Sequence, residues 1–236
     1  MSYSPNPANF DSNQNLETVK KILKIISGLL PFIPFLISIL ILSSFAPENS
    51  PLFTMLYTFA AISDCLKIFF ATQVLDIKSI WLSKHTHDLI LILDLWFFHN
   101  DSFIFVLSAL FLYLLQGVKG MKKHIAPKLG EAEGSIQDLC TAILNLDILQ
   151  QVRAALQIIL PFYLFFKGLF SFKVVSFFIV FFGHTLYALV ADQYHKEIYD
   201  QIKGLLQGLN IQFVDEFINR ISKVSEFAQA LYPVSN

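Results

Sequence analysis

The chain has 236 residues, of which 55% are hydrophobic, 25 are Phe and only 15% are charged. A soluble domain carries about 25% charged residues, so this composition excludes an ordinary water-soluble globule and leaves lipid to cover much of the apolar surface. A net charge of -1 gives no basis for binding nucleic acid, which needs clustered Lys and Arg.

Residues 1–16, with Pro5, Pro7, Asn9, Asn13 and Asn15, are polar and turn-prone and predict a disordered cytoplasmic tail. Lys20, Lys21 and Lys24 then precede the first apolar block, residues 25–46, which is too long for a cleavable signal and reads as an anchor. Its 22 residues suffice to cross a hydrocarbon layer of about 30 Å. Pro31 and Pro34 predict a kink in it. The second block, residues 52–75, is also long enough to span. Asp64 and Lys67 fall near its middle at i and i+3, a spacing that predicts an intramembrane ion pair on one helix face.

The third block, residues 89–118, is interrupted by His99, Asn100, Asp101 and Ser102. Its halves, 89–98 and 103–118, would reach only about 15 Å and 24 Å as helices, so the expectation is a hairpin dipping into the membrane. The glycosylation sequon Asn100-Asp101-Ser102 sits at that bend and is expected to be unused. Residues 119–157 form a cytoplasmic loop followed by a helix over 135–156. Leu139, Ala142, Ile143, Leu146, Leu149, Val152 and Leu156 make one apolar stripe along it. The fourth block, residues 158–190, has a polar middle at Lys167, Gly168, Ser171 and Lys173 and predicts a second hairpin, one long tilted helix being the alternative.

Residues 191–236 form a cytoplasmic helical region with a joint at Gly204, Gly208 and Asn210. Its second stretch is amphipathic. Phe213, Val214, Phe217, Ile218, Ile221, Val224 and Leu231 present an apolar face to membrane or to a protein partner. Lysines at 20, 21, 24, 78, 84, 119, 122, 123 and 128 place both termini on the cytoplasmic side by the positive-inside rule.

Chemistry is sparse. Cys65 and Cys140 lack the spacing of a disulfide framework or a zinc site. His85-Thr86-His87-Asp88 is the only local run of ligand-type residues, and with no further ligand beside it in sequence it reads as an interfacial polar segment. His184 and His195 lack a nucleophile and paired carboxylate nearby in sequence. No phosphate loop, nucleophile elbow or H-E-x-x-H motif occurs. The expectation is an all-α integral membrane protein with no catalytic residue, cofactor or metal.

The order of these elements resembles the transmembrane protein 33 or Krüppel homologue 2 family, which includes a yeast pore-membrane protein. The resemblance lies in residues 88–125, with their Lys122-Lys123 exit, in Gln150-Gln151 leading to Pro161, and in Phe213 through Leu231-Tyr232-Pro233. It implies residence in the endoplasmic reticulum and nuclear envelope, with reticulon-type or nuclear pore proteins as partners. The family's C-terminal region is basic, whereas from Asp192 onward this chain has four basic and six acidic residues. Hairpins too short for both leaflets would add volume to one of them, so the expected function is shaping or stabilising curved membrane. A small transporter or channel using Asp64 and Lys67, or an adaptor subunit of a membrane complex, is the alternative. The oligomeric state is left open.

Overall fold

The computed structural model describes residues 7–47, 49–71, 77–98, 102–168 and 174–208, with Glu216, Asn219, Arg220, 222–224, Glu226 and Phe227 beyond them. Every regular element among these is helical. Among the described residues five stretches are long and apolar enough to cross a membrane: Glu17–Ser44, Pro51–Phe70, Phe103–Lys128, Asp147–Gly168 and Val174–Ala191. The chain is an all-α, multi-pass membrane protein.

Helix α1 covers Pro7–Leu29, so the polar start expected to be disordered is helical from Pro7. Proline suits a first helical position, where no N–H is needed, and extending a helix already nucleated downstream costs little. The chain breaks at Leu30 and Pro31, as the prolines predict, and resumes as α2, Phe32–Ser44. Phe45 closes α2 in the left-handed region, at φ 47°, with the Ala46 N–H donating back to Ile41 O.

Helix α3 is Pro51–Ala71, α4 is the short Ile77–Trp81, α5 is Lys84–Phe97 and α6 is Phe103–His124. The third block therefore has unequal arms. With 14 residues, α5 is about 21 Å long and short of a span, but the 22 residues of α6 reach about 33 Å. The expectation that both arms are short fails for α6, which continues past Val118 through the lysines to His124. Ser102 starts it, its buried hydroxyl accepting from the Phe105 N–H.

The single helix expected over 135–156 is two. Helix α7, Glu133–Leu144, ends at Asn145, and α8 starts at Asp147 and runs through Pro161 to Gly168. Asn and Asp compete with the helix for backbone hydrogen bonds and favour its ends. Helix α9, Val174–Val180, passes through a π turn, Phe181–Thr185, into α10, Leu186–Ala191. Both arms of the fourth block are therefore long enough to span, which corrects the short hairpin expected there. Helix α11, Gln193–Gln207, stops at Gly208, where the joint is predicted.

The ring of Phe53 meets that of Phe103, Tyr57 meets Phe105, and Tyr113 meets Asp64, so α3 and α6 run in the same direction. Helix α5 returns against them. Around the central α6 pack α1, α2, α7 and α8, and α9 closes against α5 and α8. The main core joins Ile41, Leu56, Tyr57, Leu95, Phe105, Tyr113 and Leu160. A second core joins Ile158, Phe181, Leu186 and Tyr187 to Ile198 and Ile202 of α11. The outer faces are apolar as well: Met55, Ile62 and Phe69 recur every seven residues along α3 and are exposed. Greasy outside with charges inside is the pattern lipid imposes.

Candidate functional site

Polar and ionisable side chains from six separate stretches, most of them buried, converge at one end of the bundle. Helix α3 supplies Asp64 and α5 supplies Lys84, His85 and Asp88. Tyr113 comes from α6, Arg153 and Gln157 from α8, His184 from the π turn, and Asp192 and His195 from the junction of α10 with α11. Asp64, Asp88, Arg153, Gln157, His184 and His195 are all buried. Removing so many charges from water is costly unless they pair, and here they do so in two linked groups.

The inner group centres on Asp64. Its Oδ1 lies 3.2 Å from His85 Nδ1, and Tyr113 donates its hydroxyl to Oδ2 across 3.1 Å. His85 and Asp88, three apart on α5, share a helix face. Asp88 Oδ1 in turn faces His184 Nε2 at 3.3 Å. One ligand-type atom from each of Asp64, His85 and Asp88 lies within 4.8 Å of the others, so among the described residues these three could hold a metal ion.

The outer group centres on Asp192. Its Oδ2 accepts from Arg153 Nη2 at 2.6 Å and from Lys84 Nζ at 3.1 Å. Its Oδ1 caps α11 by accepting from the Tyr194 N–H and lies 3.3 Å from His195 Nδ1. Burial pushes the Asp192 carboxyl upward, but the facing His195 and the charges of Lys84 and Arg153 outweigh it and hold the group well below the usual carboxylate range. Burial dominates for His195, whose pKa is lowered to about 4 despite Asp192 beside it.

Between the groups lies a small cavity of about 80 Å³, lined by Lys84, Asp88, Gln157, His184, Asp192 and His195 among others. Several atoms around it are buried without a hydrogen-bond partner: Asp88 Oδ2, both amide atoms of Gln157, and His184 Nδ1. Polar buried space of that size suits two or three water molecules, at about 30 Å³ each.

His87 also lines this cavity, but backbone carbonyls and an aromatic ring hold it. Its ring stacks on Tyr187 at 3.7 Å, and its nitrogens meet the carbonyls of Gly183 and Trp81, which locks α5 to the π turn. A Cβ on Gly183 would stand 2.9 Å from Ile90 Cγ2, so any larger residue there would force the Ile90 side chain to shift.

The expected ion pair of Asp64 with Lys67 is replaced by other partners. His85 and Tyr113 hold Asp64, while Lys67 donates to Gln116 Oε1 on α6. Neighbouring helices bring better-placed groups than the adjacent turn of α3. The run from His85 to Asp88, read as an interfacial segment, acquires from α3 the further ligand that it lacks in sequence, Asp64. Of the predicted amphipathic face, Phe213, Val214, Phe217, Ile218, Ile221 and Leu231 lie outside the described residues. Val224 packs on the second core beside α11, and Lys203 donates to Ser222. Sequence reasoning missed Tyr113, Arg153, Gln157 and Asp192. Arg153, within an otherwise apolar helix stripe, was the signal available.

Compared with family models, with curated proteins and with solved structures, the chain matches none.

Proposed function

We propose that this chain is a non-enzymatic membrane protein that shapes or stabilises curved membrane in the endoplasmic reticulum and nuclear envelope and holds partners there. One observation carries the reading: the helices that flank the bundle, α4, α7 and α11, lie at the same end of it. By connectivity, α4, α7 and α11 sit at the end that Lys84, Arg153 and Asp192 occupy, whereas the opposite end, where α2 passes to α3 and α5 to α6, carries no helix of its own among the described residues. A protein wider in one leaflet's headgroup layer favours positive curvature of that leaflet, as shallowly inserted helices do. This unequal width takes over the wedge role first assigned to short hairpins. The partners implied by the family resemblance are reticulon-type or nuclear pore proteins. Reconstituted into liposomes of mixed diameter, the protein is expected to concentrate in the smallest. Equal protein density at every diameter would overturn the reading.

A second reading, movement of an ion or solute through the bundle, is favoured by the buried cluster around Asp64 and Asp88, since ionisable groups inside membrane helices commonly mark such paths. Solute or proton flux in proteoliposomes, abolished by Asp64→Asn, would support it. Absence of any flux would remove it.

A further inference from the structure

His85, Asp88 and Asp64 have the arrangement of a metal centre built between two facing helices. Two ligands three apart on α5 and a third from α3 bring one ligand-type atom each within 4.8 Å of the others, and helix bundles build metal sites from side chains on facing helices in this way. The 3.2 Å between Asp64 Oδ1 and His85 Nδ1 is the spacing of neighbouring ligands on an ion bonded at about 2.1 Å. Each carboxylate is also supported from outside. Tyr113 holds the other oxygen of Asp64, and His184 faces Oδ1 of Asp88, as orienting partners do around metal ligands.

A separate observation points to a missing ligand. Asp88 is 2% exposed, yet its Oδ2 has no hydrogen-bond partner. A buried carboxylate oxygen is rarely left so. The adjoining cavity, with both amide atoms of Gln157 unpartnered, has room for water to complete a coordination shell. Lys67, the nearest cation on α3, is turned to Gln116.

We propose that Asp64, His85 and Asp88 bind one divalent transition-metal ion, with water in its remaining positions. Two carboxylates and an imidazole, without thiolate, select ions of the Zn²⁺, Mn²⁺ or Fe²⁺ kind over Cu⁺. Ca²⁺ is disfavoured because it takes six to eight oxygen ligands. The ion offsets two buried negative charges and clamps the start of α5 to the middle of α3.

The test uses the full, untagged chain in detergent, stripped with a chelator and titrated with Zn²⁺ and then Mn²⁺ by calorimetry, with metal content measured by mass spectrometry. One equivalent per chain is expected. Affinity falls by about 100-fold or more in His85→Gln and Asp88→Asn and by about 10-fold in Tyr113→Phe. His124→Gln, at the far end of α6, retains it. His85 is a quarter exposed, at 26%, so His85→Gln decides the matter if Asp88→Asn does not fold. The proposal fails if the stripped, helical protein takes up neither ion at micromolar concentrations, or if His85→Gln binds as the parent does, which marks adventitious binding elsewhere.

Discussion

Arg153 Nη2 donates to Asp192 Oδ2 across 2.6 Å and so ties α8 to the first turn of α11. The guanidinium is 2% exposed, and its Nε and Nη1 have no other protein partner. Asp192 has three donors, Arg153, Lys84 and the Tyr194 N–H, whereas Arg153 depends on Asp192 alone.

That asymmetry sets an order of severity. Asp192→Asn keeps the helix cap but strands a buried cation, and is expected to destabilise the fold by about 3–5 kcal/mol. Arg153→Met leaves Asp192 with Lys84 and a backbone donor and costs less. Chemical unfolding of both variants in detergent checks this, and an equal or reversed order counts against the dependence of Arg153 on a single partner.

His195 makes stability depend on pH. Its folded pKa, about 4, is depressed from 6.5 because burial disfavours the cation. Unfolded chains therefore bind more protons across that window. Stability is complete above about pH 6.5 and declines as the pH falls toward 4, by on the order of 3 kcal/mol. Asp192, held low, contributes fully well above its ordinary value of 3.8 and loses that contribution mainly as the pH falls below it, so it adds little to the slope in the His195 window until the pH nears 4. Thermal unfolding at pH 7 and at pH 4 should show a smaller difference in His195→Gln than in the parent. An unchanged difference assigns the slope to other groups.

Gly120 is where α6 meets α1. A Cβ there would run into the backbone of Gly28, which cannot move aside as a side chain can. Gly120→Ala is expected to force the helices apart at a cost of about 1–3 kcal/mol. Gly134→Ala, in open space on α7, serves as the neutral reference. Similar melting of the two variants would contradict the close approach.

Near the other end of α5, Ser176 of α9 donates to Asp94 Oδ2, while Asp94 Oδ1 is buried without a partner. Ser176→Ala leaves the carboxyl wholly unpartnered and is expected to cost about 1–3 kcal/mol. Replacing both, as Asp94→Leu with Ser176→Ala, removes the polar atoms together and should recover most of that loss. If the double variant is less stable than Ser176→Ala, Asp94 has a structural role beyond this bond.

Much of this architecture is written in local pattern. The apolar blocks locate the spans, Pro31 marks the break after α1, and Gly208 marks the end of α11. Helix lengths are less legible where a polar face turns toward protein rather than water. Gln150, Arg153 and Gln157 lower the hydropathy before residue 158, although α8 begins at Asp147. The lysines after Val118 conceal the last turns of α6 in the same way. The polar centre is illegible for a different reason. Asp64 and His85 are 21 residues apart and Lys84 and Asp192 are 108 apart, so only the packing of α3, α5, α8 and α11 brings them together. Asp94 was visible as a charge in an apolar run, but its partner Ser176 is 82 residues away.

The shortness of α5 bears on the surrounding lipid. At about 21 Å it falls some 9 Å below a typical hydrocarbon thickness of about 30 Å, while the helices beside it reach across. Local thinning of the bilayer would relieve the mismatch, drawing headgroups inward along the flank that α5 presents. Each ångström costs a fraction of a kcal/mol, and that cost is smaller in a thin bilayer. Membrane thickness, apart from any protein contact, would thus favour thin bilayers for this chain.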